Sequence, residues 1–320
     1  MIVIHVAAVG FSDLSSSSWK AVDAYDSVAR IAVPLFFMVT GALLVPKSHG
    51  VPSILRRVQR VSIPLVAWSM IYIVYFRIAA VSDSPSVLQI FSGPVVYHFW
   101  FLYTLLGAYL FMPVMAGFYQ GNKIRTVLFV LLMFFVGASL VPTVVGLTGI
   151  RILGIDWSFL SWPAGYLVLG SVLFNYVDFK GFKIWALAAV MMVSMLAIAI
   201  GTWAMSYGTG ASNQIFFVYY SPFVMLASVA AFVLLMKLHR TYLDGNTVLG
   251  KGLSWFGEVS FGIFLVHPLV IYLFKSAGIS FDFINPWLGI PALVVMVLAL
   301  SALTVFVLQR VPFVKRIVPS

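Results

Sequence analysis

The chain has 320 residues, none of them cysteine, and only 9% of them carry charge. The missing cysteine excludes disulfides, thiolate metal sites and any acyl-cysteine intermediate. The scarcity of charge excludes an ordinary soluble domain, in which about a quarter of residues are charged. Acids are scarcest: 9 Asp and Glu stand against 19 Lys and Arg. Signatures of soluble enzymes are missing as well, with no Gly-x-Ser-x-Gly elbow, His-Glu-x-x-His motif, P-loop or dinucleotide fingerprint.

What the chain does have is apolar length. Hydrophobic residues make up 62% of it, and its mean hydropathy is +1.07. The excess gathers into runs near the roughly 17–25 residues that cross a bilayer. They read as 31–46, 61–80, 99–118, 126–147, 163–177, 184–206, 216–236, 260–274 and 287–308, after a stub at 1–12. In lipid each must be helical, because unpaired backbone groups find no water there. The expectation is an all-α bundle of about ten transmembrane spans in a single domain over 1–320, since no polar stretch has room for a second. Residues 13–30 and 77–98 read as the longer outer connections, and 47–60 and 237–259 as the longer inner ones.

The net charge of +10 is distributed by topology. With the N-terminus inside, fourteen of the 19 basic residues fall on the inner side, Arg56, Arg57 and Arg60 among them, and five on the outer side. That positive-inside bias orients the basic loops toward the cytoplasm and gives no sign of a nucleic-acid face. No internal repeat is visible, unlike transporters built from duplicated halves.

The stub Met1-Ile-Val-Ile-His-Val-Ala-Ala-Val-Gly10 reads as the outer half of a span, with a truncated or misassigned start. A basic n-region and a cleavage pattern, the marks of a signal peptide, are both absent. Within it lies His5. An imidazole in hydrocarbon is costly and carries protons near neutral pH, so it has either a partner across helices or a task as a general base.

Other polar groups at membrane depth have paired readings. His98, in Tyr97-His-Phe-Trp-Phe-Leu102 with Trp100, fits an interfacial aromatic belt or a pocket at the outer mouth. His267 precedes Pro268, which removes a backbone donor and frees carbonyls beside the ring. Arg30 reads as a snorkelling anchor or as a holder of an anionic group. Arg57 and Arg60 share a helical face, fit for bidentate phosphate binding or for topology alone. No metal site is expected.

Five segments together resemble the acyltransferase 3 family of integral-membrane acyltransferases, and most of all its enterobacterial common antigen O-acetyltransferase branch. They are His5 in the first span, Ala29-Arg-Ile-Ala-Val-Pro-Leu-Phe-Phe-Met-Val-Thr-Gly41, Arg57-Val-Gln-Arg60, Pro94-Val-Val-Tyr-His-Phe-Trp-Phe-Leu102 and Ser260-Phe-Gly-Ile-Phe-Leu-Val-His-Pro268. The resemblance covers nearly the whole chain. It implies ten spans in a bacterial inner membrane, acetyl-CoA or another acyl-CoA as cytoplasmic co-substrate, no bound cofactor, and an extracytoplasmic or lipid-linked glycan as acceptor.

The same resemblance places the catalytic histidine at His5 and acyl-CoA binding at Arg57 and Arg60. Arg30, His98, Trp100 and His267 are the candidates for the tunnel or acceptor side. Two departures stand out. The family's first helix carries an arginine eleven residues before the histidine, about 16 Å away at helical rise, and this chain begins four residues before His5. Thr40-Gly-Ala42 stands where the family often has Ser-Gly-Tyr. The acid that orients His5 stays open among Asp13, Asp23, Asp26 and Glu258. The alternative from another class is a proton-coupled exporter or flippase of a lipid-linked glycan, in which buried histidines relay protons.

Overall fold

The computed structural model describes residues 1–81, 84–150, 155–157, 160–242, 248–312 and 314–319. Among them there are helices and no strand. The chain is an all-α polytopic membrane protein. Among the described residues, eight helical stretches are long and apolar enough to cross a bilayer: Trp19–Leu44, Val51–Ile78, Tyr97–Gly121, Ile124–Thr148, Ile184–Thr209, Pro222–His239, Gly250–Ser276 and Pro286–Gln309. A further helix, Trp162–Tyr176, has 15 residues, about 22 Å at helical rise and short of a full crossing. The first helix, α1, is only Ile2–Ala7.

Several boundaries differ from the sequence reading, each for a physical reason. The outer connection expected at 13–30 contains a helix, α2 (Trp19–Ala29), continued by α3 (Ala32–Leu44). Its buried residues, including Trp19, Val22, Asp23 and Asp26, recur at helical spacing. The polar members of that set dilute hydropathy, so an apolar-run reading passes over them. The inner loop expected at 47–60 belongs mostly to α4 (Val51–Ile78), which starts with Pro52 in its first turn. Arginine is a good helix former, so Arg56, Arg57 and Arg60 extend the span rather than ending it. Likewise, 237–259 is largely taken up by the ends of two later helices, Pro222–Tyr242 and Val248–Ser276.

The remaining elements are α5 (Gln89–Ser92), α6 (Trp100–Gly121), α7 (Ile124–Phe134), α8 (Val141–Thr148), α9 (Trp162–Tyr176), α10 (Ile184–Thr209), α11 (Pro222–Tyr242), α12 (Val248–Ser276) and α13 (Pro286–Gln309). Between α7 and α8 the turns widen to π-helix over Phe135–Leu140, which ends two residues before Pro142. Such a bulge spares the helix the hydrogen bond that a proline nitrogen cannot donate.

The chain groups into two compact units. One comprises Met1–Lys47, Met115–Asp244 and Gly278–Val294; the other comprises Ser48–Val114, Gly245–Ala277 and Val295–Ser320. In the first, α3 and α9 approach backbone to backbone. A Cβ on Gly41 would stand 1.9 Å from the carbonyl oxygen of Leu167, and one on Gly170 would stand 2.0 Å from that of Met38. With no water to drive apolar association in lipid, close van der Waals approach through small residues supplies the contact. Polar side chains of α2 anchor it to its neighbours in this unit. Trp19 Nε1 donates to the carbonyl of Phe11 at 3.0 Å, and Tyr25 Oη donates to that of Trp287 at 2.7 Å.

In the second unit α4 packs against α12. Trp68 Nε1 donates to the carbonyl of Ile317 at 2.9 Å, tying the C-terminal segment to α4. Large exposed apolar residues, among them Leu110, Phe111 and Val114 on α6 and Val193 and Leu196 on α10, supply the lipid-facing surface.

Candidate functional site

His5 lies on α1 with its ring half-buried. α1 packs on α2. One turn beyond His5 is Ala8, which begins the wall of a cavity of about 200 Å³. Phe11, Ser12, Asp26, Arg30, Ser212 and Gln214 complete that wall. At roughly 30 Å³ per water, the space equals about seven waters, enough for a polar group of a substrate. Ser212 Oγ donates to the carbonyl of Phe11, closing one side.

Two charges face this cavity. Arg30 Nη2 and Asp26 Oδ2 form an ion pair at 2.5 Å, one helical turn apart, with Asp26 1% and Arg30 12% exposed. The guanidinium also lies over the ring of Phe217, 4.4 Å from its centroid, and within 6.0 Å of Tyr219. Cation–π contact and the carboxylate together make a buried arginine tolerable. Asp26 Oδ1, Arg30 Nε and Asp23 Oδ1 are buried and have no hydrogen-bond partner among the described residues.

Of the four acids considered as orienters of His5, Asp13 and Glu258 are exposed. Asp13 accepts a hydrogen bond from Ser15 Oγ at 2.7 Å. Asp23 and Asp26 are buried, on the helix that packs against α1.

The second unit holds the remaining candidates. Arg56, Arg57 and Arg60 of α4 and Arg316 near the C-terminus line a cavity of about 600 Å³, with Ser53 and Gln59. Among the described residues lining it there is no carboxylate. Arg57 is half-buried, and its Nε has no hydrogen-bond partner among the described residues. Four guanidinium groups around one space form a site for an anion rich in phosphate oxygens.

His98 and His267 come together, ring centroids 5.3 Å apart, both fully buried. His267 Nδ1 lies 3.0 Å from the carbonyl oxygen of Ile263. A carbonyl only accepts, so this nitrogen carries the proton. Beside the pair, Tyr72 Oη donates to the carbonyl of Leu265 at 2.9 Å and accepts from the amide of Leu269 at 3.1 Å. The hydroxyl thus stands within a rung of the α12 ladder next to Pro268, and holds two backbone groups that lipid could not satisfy. Trp100 is half-buried, its ring 6.1 Å from that of Phe101.

A family model described as an acyltransferase domain, that of the acyltransferase 3 family, matches residues 1–306. The chain belongs to this family. It is therefore a membrane acyltransferase. No curated protein and no solved structure matches it.

In this acyltransferase the sequence-derived candidates divide by unit. His5 and Arg30 lie in the first; Arg57, Arg60, His98, Trp100 and His267 lie in the second. The structure joins Arg57 to Arg60 around one cavity and His98 to His267 in one contact. Sequence reasoning missed the ion pair of Asp26 with Arg30, although the four-residue spacing signals it once α2 is known to be helical. It also missed the addition of Arg316 to the α4 arginines and of Tyr72 to α12. Neither has a local signal, since each meets its partners across more than 190 residues of chain.

Proposed function

We propose that this acyltransferase moves an acetyl or other acyl group from cytoplasmic acyl-CoA to a hydroxyl of an extracytoplasmic or lipid-linked glycan, with His5 as general base. The observation that carries this reading is the cavity walled by Arg56, Arg57, Arg60 and Arg316 in a chain of this family. Phosphates bound there stay at the basic end of α4 and need not enter hydrocarbon. The positive-inside bias supports a cytoplasmic position for that end, in a bacterial inner membrane.

In the proposed step, neutral His5 takes the proton of the acceptor hydroxyl while that oxygen attacks the thioester carbonyl. The new C–O bond forms as the C–S bond breaks, and the thiolate of CoA leaves and recovers a proton from the imidazolium. Asp26 and Asp23, buried on the helix that packs against α1, are the acids best placed to hold positive charge in that region. Asp26 also keeps Arg30 at the edge of the small cavity.

The test is acetyl-CoA turnover by the purified protein in nanodiscs, with labelled acetyl groups and cell-envelope extract as acceptor. Label transferred to glycan is the expected result. The buried pair of His98 and His267 is the feature that favours an exporter, because adjacent imidazoles pass protons. Glycan flux with no labelled product would establish that reading and reject transfer.

A further inference from the structure

The second unit has another large cavity at the far end of α4 from the arginines. It measures about 670 Å³, within the range of small-ligand sites. Arg60 and Tyr75 mark the two ends, separated along α4 by about 22 Å at helical rise. Tyr75 of α4 and Tyr272 of α12 stack with centroids 5.9 Å apart and planes 20° from parallel. Phe76 stands edge-on to Tyr272 at 5.5 Å. Gln89, Lys275 and Ser276 also line the space. Gln89 Nε2 donates to the carbonyl of Pro94 at 3.2 Å, which fixes the amide at the rim.

This lining selects a ligand class by elimination. An acyl chain would leave the phenol hydroxyls of Tyr75 and Tyr272 and the ammonium of Lys275 facing hydrocarbon, each at a cost in free energy. A cationic ligand would suit the tyrosine faces but meet repulsion from Lys275. A saccharide presents both an apolar C–H face for the negative face of an aromatic ring and hydroxyls for the polar groups. An anionic substituent gives Lys275 a partner.

We propose that this cavity is the acceptor subsite, and that it takes a saccharide carrying a carboxylate or a phosphate. As an acceptor site it rests on the transfer reading above; as a saccharide site it does not. The carboxylate corresponds to a free acidic glycan and the phosphate to a lipid-linked sugar.

The experiment measures binding to the full chain in nanodiscs by saturation-transfer NMR. The probes are trigalacturonate, a short-chain polyprenyl-phosphate sugar and, as neutral control, the N-acetylglucosamine trimer. Acetyl-CoA binding is measured on the same samples. Expected is binding of at least one anionic probe, weakened about tenfold or more by Tyr272→Ala and within a few-fold of wild type in Tyr272→Phe, which keeps the ring. Lys275→Met should abolish the preference over the neutral trimer and leave acetyl-CoA binding unchanged.

Preference for trigalacturonate identifies the free glycan, and preference for the polyprenyl-phosphate sugar identifies the lipid-linked one. Acetyl-CoA binding with neither anionic probe bound, or with Tyr272→Ala and Lys275→Met both binding the probes like wild type, overturns the subsite and leaves transfer standing. Tyr272-dependent saccharide binding without acetyl-CoA binding rejects the acceptor role and keeps the saccharide site.

Discussion

Asp26 and Arg30 hold each other through one oxygen: Nη2 meets Oδ2 at 2.5 Å, while Oδ1 has no hydrogen-bond partner among the described residues. Both residues line the small cavity one turn above His5. The pair thus places a neutralised charge and a spare acceptor oxygen at that wall. Its surroundings, Phe217 and Tyr219, keep the guanidinium in place.

Breaking this pair on one side should destabilise the protein strongly. Asp26→Asn leaves a buried arginine without its counter-charge, an effect of about 3–5 kcal/mol. Replacing both partners with apolar residues, Asp26→Leu with Arg30→Met, should recover most of that loss. Thermal unfolding in detergent reads both; a single variant as stable as wild type would contradict the assignment.

The α3–α9 seam predicts a sharp contrast between glycines. Gly41→Ala and Gly170→Ala each put a Cβ about 2 Å from a backbone oxygen, so neither neighbour can yield without moving a helix. Gly117→Ala, on α6, meets nothing within 4 Å. The first two should lose monodisperse protein on size exclusion, and the third should behave as wild type.

These particulars show where sequence reading works in this molecule. The all-α membrane fold was legible because lipid forces apolar runs into helices, and most runs kept their centres. Helix ends were not legible, because the basic first turns of α4 and the buried acids of α2 lower hydropathy without breaking a helix. His5, Arg57 and Arg60 stood out as polar or paired groups in apolar sequence. Arg316 beside them, and Tyr72 inside the α12 ladder, depend on contacts between distant segments.

The arginine cavity predicts a specific kinetic split. Arg57→Ala or Arg60→Ala should raise KM for acyl-CoA about tenfold or more, equivalent to roughly 1.4 kcal/mol, with a smaller effect on kcat. Arg57→Lys should recover little, because an ammonium lacks the two-pronged geometry that phosphate oxygens accept. Equal KM values for wild type and Arg57→Ala, measured by initial rates, would remove the donor from this cavity.

The role of His5 as general base stands or falls on one comparison. Wild type and His5→Ala, matched for expression and monodispersity, are assayed for acyl transfer from labelled acetyl-CoA in nanodiscs. His5→Ala should lose about 10²–10⁴-fold in kcat, the usual contribution of a positioned acid–base group, with acetyl-CoA binding retained. Full transfer by His5→Ala would contradict it and take the base away from α1.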